Sequence, residues 1–213
     1  AIFTRKIFYQ HKTNYRLLEN MKFRSDIDID FADRTKILDI LPHTSASIIK
    51  DGSISKHNTG VYFTEIPQDP FTGYASIDYE RAEDLGYLKL DFLNVNLYSQ
   101  VKSEQHLLEL IEQEPEWDKL YDRAFCEQLI HIGNHYDTLI KMPEAVNSIP
   151  RMAMFISVIR PAKRHLIGQA WGEVRKTVWQ RPEDDSYYFK QSHAVAYATL
   201  VAVNMNLLGN SAD

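Results

Sequence analysis

Polar and apolar positions alternate at period two in two stretches of this chain. In Asp26-Ile27-Asp28-Ile29-Asp30-Phe31, carboxylates alternate with two isoleucines and a phenylalanine. Successive side chains of a β-strand point to opposite faces, so the three aspartates share one face. In Tyr87-Leu88-Lys89-Leu90-Asp91-Phe92-Leu93, Lys89 and Asp91 share one face and Leu88, Leu90 and Phe92 the other. Ile54 to Leu93 reads as strand-rich, with Val61-Tyr62-Phe63 as a central strand and turns at Gln68-Asp69-Pro70 and Thr72-Gly73. Ile37, Leu38 and Leu41 stand at helical spacing after Asp33-Arg34, and Pro42 ends that run. From Asn94 the period turns helical. Leu97, Val101, Leu108 and Ile111 mark one helix, and Tyr121, Phe125, Leu129 and Ile132 a second, closed at Gly133. Met152 to Ile159 marks a third, ended by Pro161. The last is capped by Ser192, runs to Leu208 and is apolar on nearly every face, so it should be buried. Residues Ile2 to Phe23 are mixed aromatic and basic and lead into the first strand as strand or helix. The pattern predicts an α+β protein: a small mixed β-sheet in a β-rich lobe, 1–93, then a helical lobe, 94–213.

The alternating aspartates carry the most chemistry. Residues i and i+2 on a strand lie roughly 6.5–7 Å apart, so neighbouring carboxylates can clasp a cation from one side. Like charges on one face are costly without a counter-charge. A divalent metal supplies one, and all-oxygen ligands favour Mg²⁺, Mn²⁺ or Ca²⁺. If the Lys89–Asp91 strand pairs beside the Asp-rich one, Asp91 becomes a further ligand and Lys89 a cation for phosphate. That set suits two-metal phosphoryl or nucleotidyl transfer, with metals about 3.5–4 Å apart. The competing reading is an exposed acidic edge strand, charged against sheet pairing, beside an ordinary half-buried strand with one Lys–Asp pair.

At these residues the chain resembles the bacterial DNA polymerase III alpha subunit, the replicative family C polymerase. Its P-D-x-D-x-D-F strand is similar to Ser25-Asp26-Ile27-Asp28-Ile29-Asp30-Phe31, and its K-F-D-F-L-G-L strand to Lys89-Leu90-Asp91-Phe92-Leu93-Asn94-Val95. Between them K-H-A-G-G-V-V-I-A resembles Lys56-His57-Asn58-Thr59-Gly60-Val61-Tyr62-Phe63-Thr64. Further on, L-F-R-P-G-P resembles Val158-Ile159-Arg160-Pro161-Ala162-Lys163, and F-N-K-S-H-A-A-A-Y-A resembles Phe189-Lys190-Gln191-Ser192-His193-Ala194-Val195-Ala196-Tyr197-Ala198. The five motifs keep the family's order from Ser25 to Leu208. The resemblance implies a palm-like, nucleotidyltransferase-type sheet and a fingers-like helical lobe. It implies catalytic Asp26, Asp28 and Asp91, with Mg²⁺ or Mn²⁺ held by Asp91 and two of Asp26, Asp28 and Asp30, Asp28 foremost. It also places Lys190, Ser192 and His193 near the incoming nucleotide's phosphates, with Lys89 and Arg160 helping to neutralise them.

The departures from the family are large. Only Ala32 to Ser55 joins the Asp-rich strand to the K-H segment, so the thumb is absent. From the resemblance, no counterpart of the PHP domain before Asp26, nor of the clamp-binding and C-terminal domains, is expected in this sequence. No R-R-A-M-G-K-K run occurs. Gln191 stands at the family's lysine position, with Lys190 one residue earlier, a rotation of about 100° on a helix.

Composition narrows the partners. With 24 Lys and Arg against 29 Asp and Glu, the net charge is −5, which argues against strong nucleic-acid binding. Arg151, Arg160, Lys163, Arg164, His165, Arg175, Lys176 and Arg181 cluster in the last third, as a basic patch or as solvated helix faces. No run reaches the roughly 18 apolar residues of a membrane span, and the N-terminus lacks an apolar h-region, so neither a membrane anchor nor a signal peptide is expected. The lone Cys126 forms no internal disulfide and suits a reducing cytoplasm. Met152, Met154 and Met205 read as core filler. His131 and His135 stand at i, i+4 on one helix face, a zinc-capable spacing without an evident third ligand. The N-terminal Ala fits initiator-methionine removal in a small complete protein, and equally a fragment. Two functions remain. One is a metal-dependent nucleotidyltransferase acting on a DNA primer-template and dNTP. The other is a catalytically inactive, polymerase-derived module, phage-encoded or from another mobile element, with a protein partner.

Overall fold

The computed structural model describes residues 27–184 and 186–210. Asp26 and the lead-in Ile2 to Phe23 lie outside them. The chain divides after Gln100 into two compact units.

The first unit is built on four strands, β1 (Asp28–Phe31), β2 (Thr44–Lys50), β3 (Ser53–Tyr62) and β4 (Leu90–Asn94), in the spatial order β1-β4-β3-β2. β1 runs parallel to β4, while β4–β3 and β3–β2 are antiparallel. The small mixed sheet and the α+β class are therefore as expected, and Val61 and Tyr62 lie on an interior strand. Two short helices cover the sheet, α1 (Arg34–Leu38) and α2 (Tyr79–Asp84). The Asp33 carboxylate caps α1 by accepting from the Thr35 amide. Two apolar clusters seal the unit. Phe31, Val61 and Phe92 pack with Ile37 and Leu38 of α1, the Phe31 and Phe92 rings 4.7 Å apart. Ala46, Tyr62, Ile66, Ala75 and Ala82 pack with Tyr79 and Tyr87. The predicted turn forms around Asp69, whose carboxylate accepts from the Phe71 and Thr72 amides and the Thr72 hydroxyl, with Gly73 at φ +71°.

Two elements of this unit carry no apolar periodicity. β2 begins Thr44-Ser45-Ala46-Ser47, small and largely polar, yet all four are buried. Two of their hydroxyls find partners: the Ser47 hydroxyl donates to the Ile77 carbonyl at 3.0 Å, and Gln68 donates to the Thr44 hydroxyl at 2.7 Å. α2 interrupts the stretch expected to be strand-rich. Asp78 starts it by accepting from the Glu80 amide at 3.0 Å, and its second oxygen accepts from Ile49 of β2 at 2.9 Å. One carboxylate thus caps a helix and fastens it to a strand.

The second unit is helical: α3 (Glu104–Glu112), α4 (Arg123–Cys126), α5 (Tyr136–Leu139), α6 (Ile149–Val158), α7 (Trp171–Thr177) and α8 (Gln191–Asn210). Its core is α6, buried continuously from Met152 to Val158, against α8, buried from Leu200 to Leu207. Met152, Met154 and Met205 are all in this core, as expected. The two asparagines that interrupt the last apolar run are buried and used. Asn204 accepts from the Ile130 amide at 2.9 Å, and Asn206 donates to the Leu110 and Gln113 carbonyls at 2.9 and 2.8 Å. Among the described residues, no helix is long and apolar enough to cross a membrane.

Four sequence expectations are corrected here. The helix drawn through Leu97 to Ile111 is split: Asn96–Gln100 is a 3-10 turn, and α3 begins afresh behind Ser103, which accepts from His106. Leu107 and Leu110 are the buried residues of α3, whereas Leu108 and Ile111 are exposed. The helix expected from Tyr121 to Ile132 stops at Cys126; Leu129 and Ile132 are buried from irregular backbone. His131 has φ +63° and His135 closes a 3-10 turn, so the two histidines share no helix face. Finally, α8 starts at Gln191, which puts Ser192 inside its first turn instead of at the cap.

The α3 correction is directly testable. Leu110→Ala removes a fully buried side chain and should cost about 2–5 kcal/mol, while Leu108→Ala should cost under about 0.5 kcal/mol, both read from urea midpoints.

Candidate functional site

Pairing of β1 with β4 brings two of the singled-out carboxylates together. Asp28 is the direct partner of Asp91, and Asp30 of Leu93. The register is fixed at both ends by backbone bonds, Asp91 N–H to the Ile27 carbonyl at 2.9 Å and Val95 N–H to the Phe31 carbonyl at 2.7 Å. Adjacent strands lie about 4.8 Å apart, so the Asp28 and Asp91 side chains rise from neighbouring points on one face. β1 is at the edge of the described sheet, as the competing edge-strand reading also required. Asp30 lies one pleat further along, where the buried Tyr98 hydroxyl donates to it at 3.4 Å.

Asp91 is the focus of the polar contacts. It is 8 % exposed. The Lys89 ammonium, two residues back on the same face, forms an ion pair with one of its oxygens. The Thr59 hydroxyl donates to the other at 2.5 Å. Lys89 reaches this position by crossing Gly60, the β3 residue opposite Asp91. A Cβ at position 60 would stand 2.8 Å from Lys89 Cδ and 3.0 Å from His57 Nδ1, so only glycine leaves the passage open.

His57 completes the surround. Its Nδ1 accepts from the Gly60 amide at 2.9 Å and the Thr59 amide at 3.3 Å. That lone pair is therefore committed to backbone donors. The 3.8 Å approach of the same nitrogen to Asp91 is not an ion pair, because a neutral Nδ1 acceptor faces the carboxylate. Burial first, and the Lys89 charge second, hold the imidazole below the usual histidine range, against the opposing pull of Asp91 and Asp78. Its ring packs on Tyr79 with centroids 4.9 Å apart, and Lys89 Nζ lies 5.9 Å from the same ring. Thr59, Gly60 and Tyr79 were not legible as site residues. They arrive through antiparallel pairing and through α2, and no local spacing announces either.

Of the other residues singled out, Asp26 lies outside the described residues, and Arg160, Lys190, Ser192 and His193 belong to the second unit. Within that unit, the turn after α6 meets the start of α8. The Arg160 guanidinium lies 4.2 Å over the Phe189 ring, which stacks on Tyr197 at 5.4 Å. Arg160 Nε is buried without a hydrogen-bond acceptor. Several basic residues of the expected patch are spent internally. Lys163 is buried and donates to the Thr177 carbonyl at 2.9 Å, Lys176 pairs with Glu173 at 2.7 Å and Arg151 with Glu144 at 3.7 Å. Cys126 is fully buried, and burial pushes its thiol up to about 11, which makes it a poor nucleophile.

Among the described residues, no three His, Cys, Asp or Glu side chains are grouped as a metal site. No protein-family model, curated protein or solved structure matches this chain.

The depressed His57 generates a pH prediction. Above about pH 6.5 both folded and unfolded states hold the ring neutral. As pH falls, the unfolded chain takes the proton first, so stability is lost through that window. His57→Asn keeps an acceptor for the Gly60 amide but cannot titrate. Its urea midpoint should fall less between pH 7 and pH 5 than that of the parent protein.

Proposed function

We propose that the first unit is a palm-type sheet for divalent-metal-dependent nucleotidyl transfer, of the class performed by the DNA polymerase III alpha subunit. The observation that supports this reading best is the direct pairing of Asp28 with Asp91 on adjacent parallel strands. Two carboxylates on one face form an all-oxygen donor set suited to Mg²⁺ or Mn²⁺. Asp28 and Asp91 would hold the ion, joined by Asp26 and Asp30. Bound there, it would supply activation of a primer 3′-hydroxyl and charge neutralisation at the phosphoryl group.

The protein's own residues have separable tasks. Thr59 fixes the orientation of the Asp91 carboxylate. Lys89 neutralises Asp91 in the resting site. With a cation bound at that carboxylate, the Lys89 ammonium would be free to meet a phosphate oxygen of the incoming dNTP. His57, held neutral and tied to the Gly60 amide, keeps the β3 segment in place without adding charge.

A second reading is favoured by one observation. Asp91 is already satisfied from within by Lys89 and Thr59, a state in which it needs no metal. With a net charge of −5, this reading makes the chain a catalytically silent module for a protein partner, with the palm shell kept as scaffold.

Lys89→Met separates the two. In the catalytic reading it frees Asp91, and Mn²⁺ titrated calorimetrically into this variant should bind several-fold more tightly than to the parent protein. Asp28→Asn should abolish that binding and, in a primer-extension assay at low salt, any Mg²⁺-dependent incorporation. Equal, weak Mn²⁺ binding by all three proteins, with no incorporation, selects the silent module.

A further inference from the structure

Against the α1 side of the sheet lies a half-enclosed cavity of about 220 Å³, with α1 on one side and the start of β2 and the 56–61 segment of β3 on the other. Its walls include Arg34, Asp39, Ser45, Lys56, His57 and Thr59. The charge balance on these walls is two cations to one carboxylate. Arg34 is held in place rather than free to sweep: its Nη1 donates to the Phe92 carbonyl at 2.8 Å and its backbone amide to Asn94 Oδ1 at 2.8 Å. Those bonds use one of the five guanidinium donors and leave the rest of the fork unspent. Among the described residues, no carboxylate forms an ion pair with Arg34 or Lys56. The Ser45 hydroxyl, on a residue only 9 % exposed, makes no hydrogen bond among the described residues. His57 gives up its Nδ1 lone pair to the Gly60 amide, so its ring proton resides on Nε2.

We infer that this cavity is a binding site for a phosphate group, recognised by Arg34 and Lys56 with help from the Ser45 hydroxyl. An anchored guanidinium with unspent donors, a second unpaired cation and an unbonded hydroxyl around a pocket of this size are donor-rich and acceptor-poor. Tetrahedral oxyanions have the opposite character, and the arginine fork matches two of their oxygens. The volume admits one phosphate with its waters, or the phosphate end of a nucleotide. A metal ion or a cationic ligand would meet two positive charges, and an apolar ligand would leave the donors unpaired. Asp39 is the one opposing charge, and it makes the site weaker than its cations alone would allow. The inference stands independently of catalysis. The cavity shares His57 and Thr59 with the surround of Asp91, so an occupied pocket would sit directly behind that carboxylate's hydrogen-bonding partners.

The test is titration of the full chain with inorganic phosphate in EDTA, followed by amide ¹H–¹⁵N NMR at constant ionic strength set with chloride. EDTA removes any contribution of a metal centre, so failure of the metal reading leaves this result intact. Phosphate should shift the amides of Thr35, Asn58 and Thr59. Lys56→Gln, an exposed change that the fold tolerates, should weaken binding about fivefold or more, as loss of a charge-assisted bond requires. Asp39→Asn should tighten it. A parallel titration with dATP assigns the source: tighter binding than phosphate means a nucleotide's phosphate, and equal binding means the free anion. The inference is overturned if phosphate moves no amide of this cavity in the folded protein. It is also overturned if the affinity is the same in Lys56→Gln, Asp39→Asn and the parent chain.

Discussion

The parallel pairing of β1 with β4 is the constraint on which the rest of the first unit depends. Side chains on a strand have period two, so a slip of one residue would turn Asp91 into the apolar layer and Phe92 out of it. Both strands are amphipathic in the same sense. Ile29, Phe31, Leu90 and Phe92 join the layer under α1, and that hydrophobic requirement selects the register. The carboxylates are then brought side by side by the burial of their neighbours, not by any attraction of their own. Two adjacent anions oppose the pairing unless something neutralises them. Lys89 does so here, and its route over Gly60 explains why a residue without a Cβ sits opposite Asp91.

That arrangement makes the site a question of which cation Asp91 keeps. In the proposed function, an external divalent ion would compete with the internal ammonium for the same oxygens. Thr59 and His57 work in either state, since one orients the carboxylate and the other ties down the chain that carries Thr59. The second unit is organised on different physics. It rests on two helices, α6 and α8, whose buried faces are nearly continuous, and on asparagines that spend their amides on the ends of neighbouring segments.

What was legible in the sequence follows from where the information is local. The Asp-rich and Lys89–Asp91 strands, their mutual adjacency, the interior position of Val61–Tyr62, the Asp69 turn, α6 and α8 all carry their signal in their own residues. β2 does not. Its buried residues are threonine, serine and alanine, and Gln68 and the Ile77 carbonyl satisfy the Thr44 and Ser47 hydroxyls from outside the strand. α2 is six residues, mostly charged, set by a single cap at Asp78. In α3, apolar residues occur on both sides of the helix, and only the packing decides that Leu107 and Leu110 go inward. The same holds for the site. Asp28, Lys89 and Asp91 could be named from alternation, but Thr59, Gly60 and Arg34 enter through pairings remote in sequence. The i, i+4 histidines are the instructive failure: the spacing was sound, and the helix that would have given it meaning is not there.

The register of β1 on β4 can be measured without reference to function. Scalar couplings across hydrogen bonds, observed in a long-range HNCO experiment, report donor and acceptor pairs one by one. The account predicts a coupling from the Asp91 amide nitrogen to the Ile27 carbonyl carbon and another from Val95 to Phe31. Couplings from Leu90 or Phe92 to Ile27 instead, or none between these strands, would contradict it and separate Asp28 from Asp91.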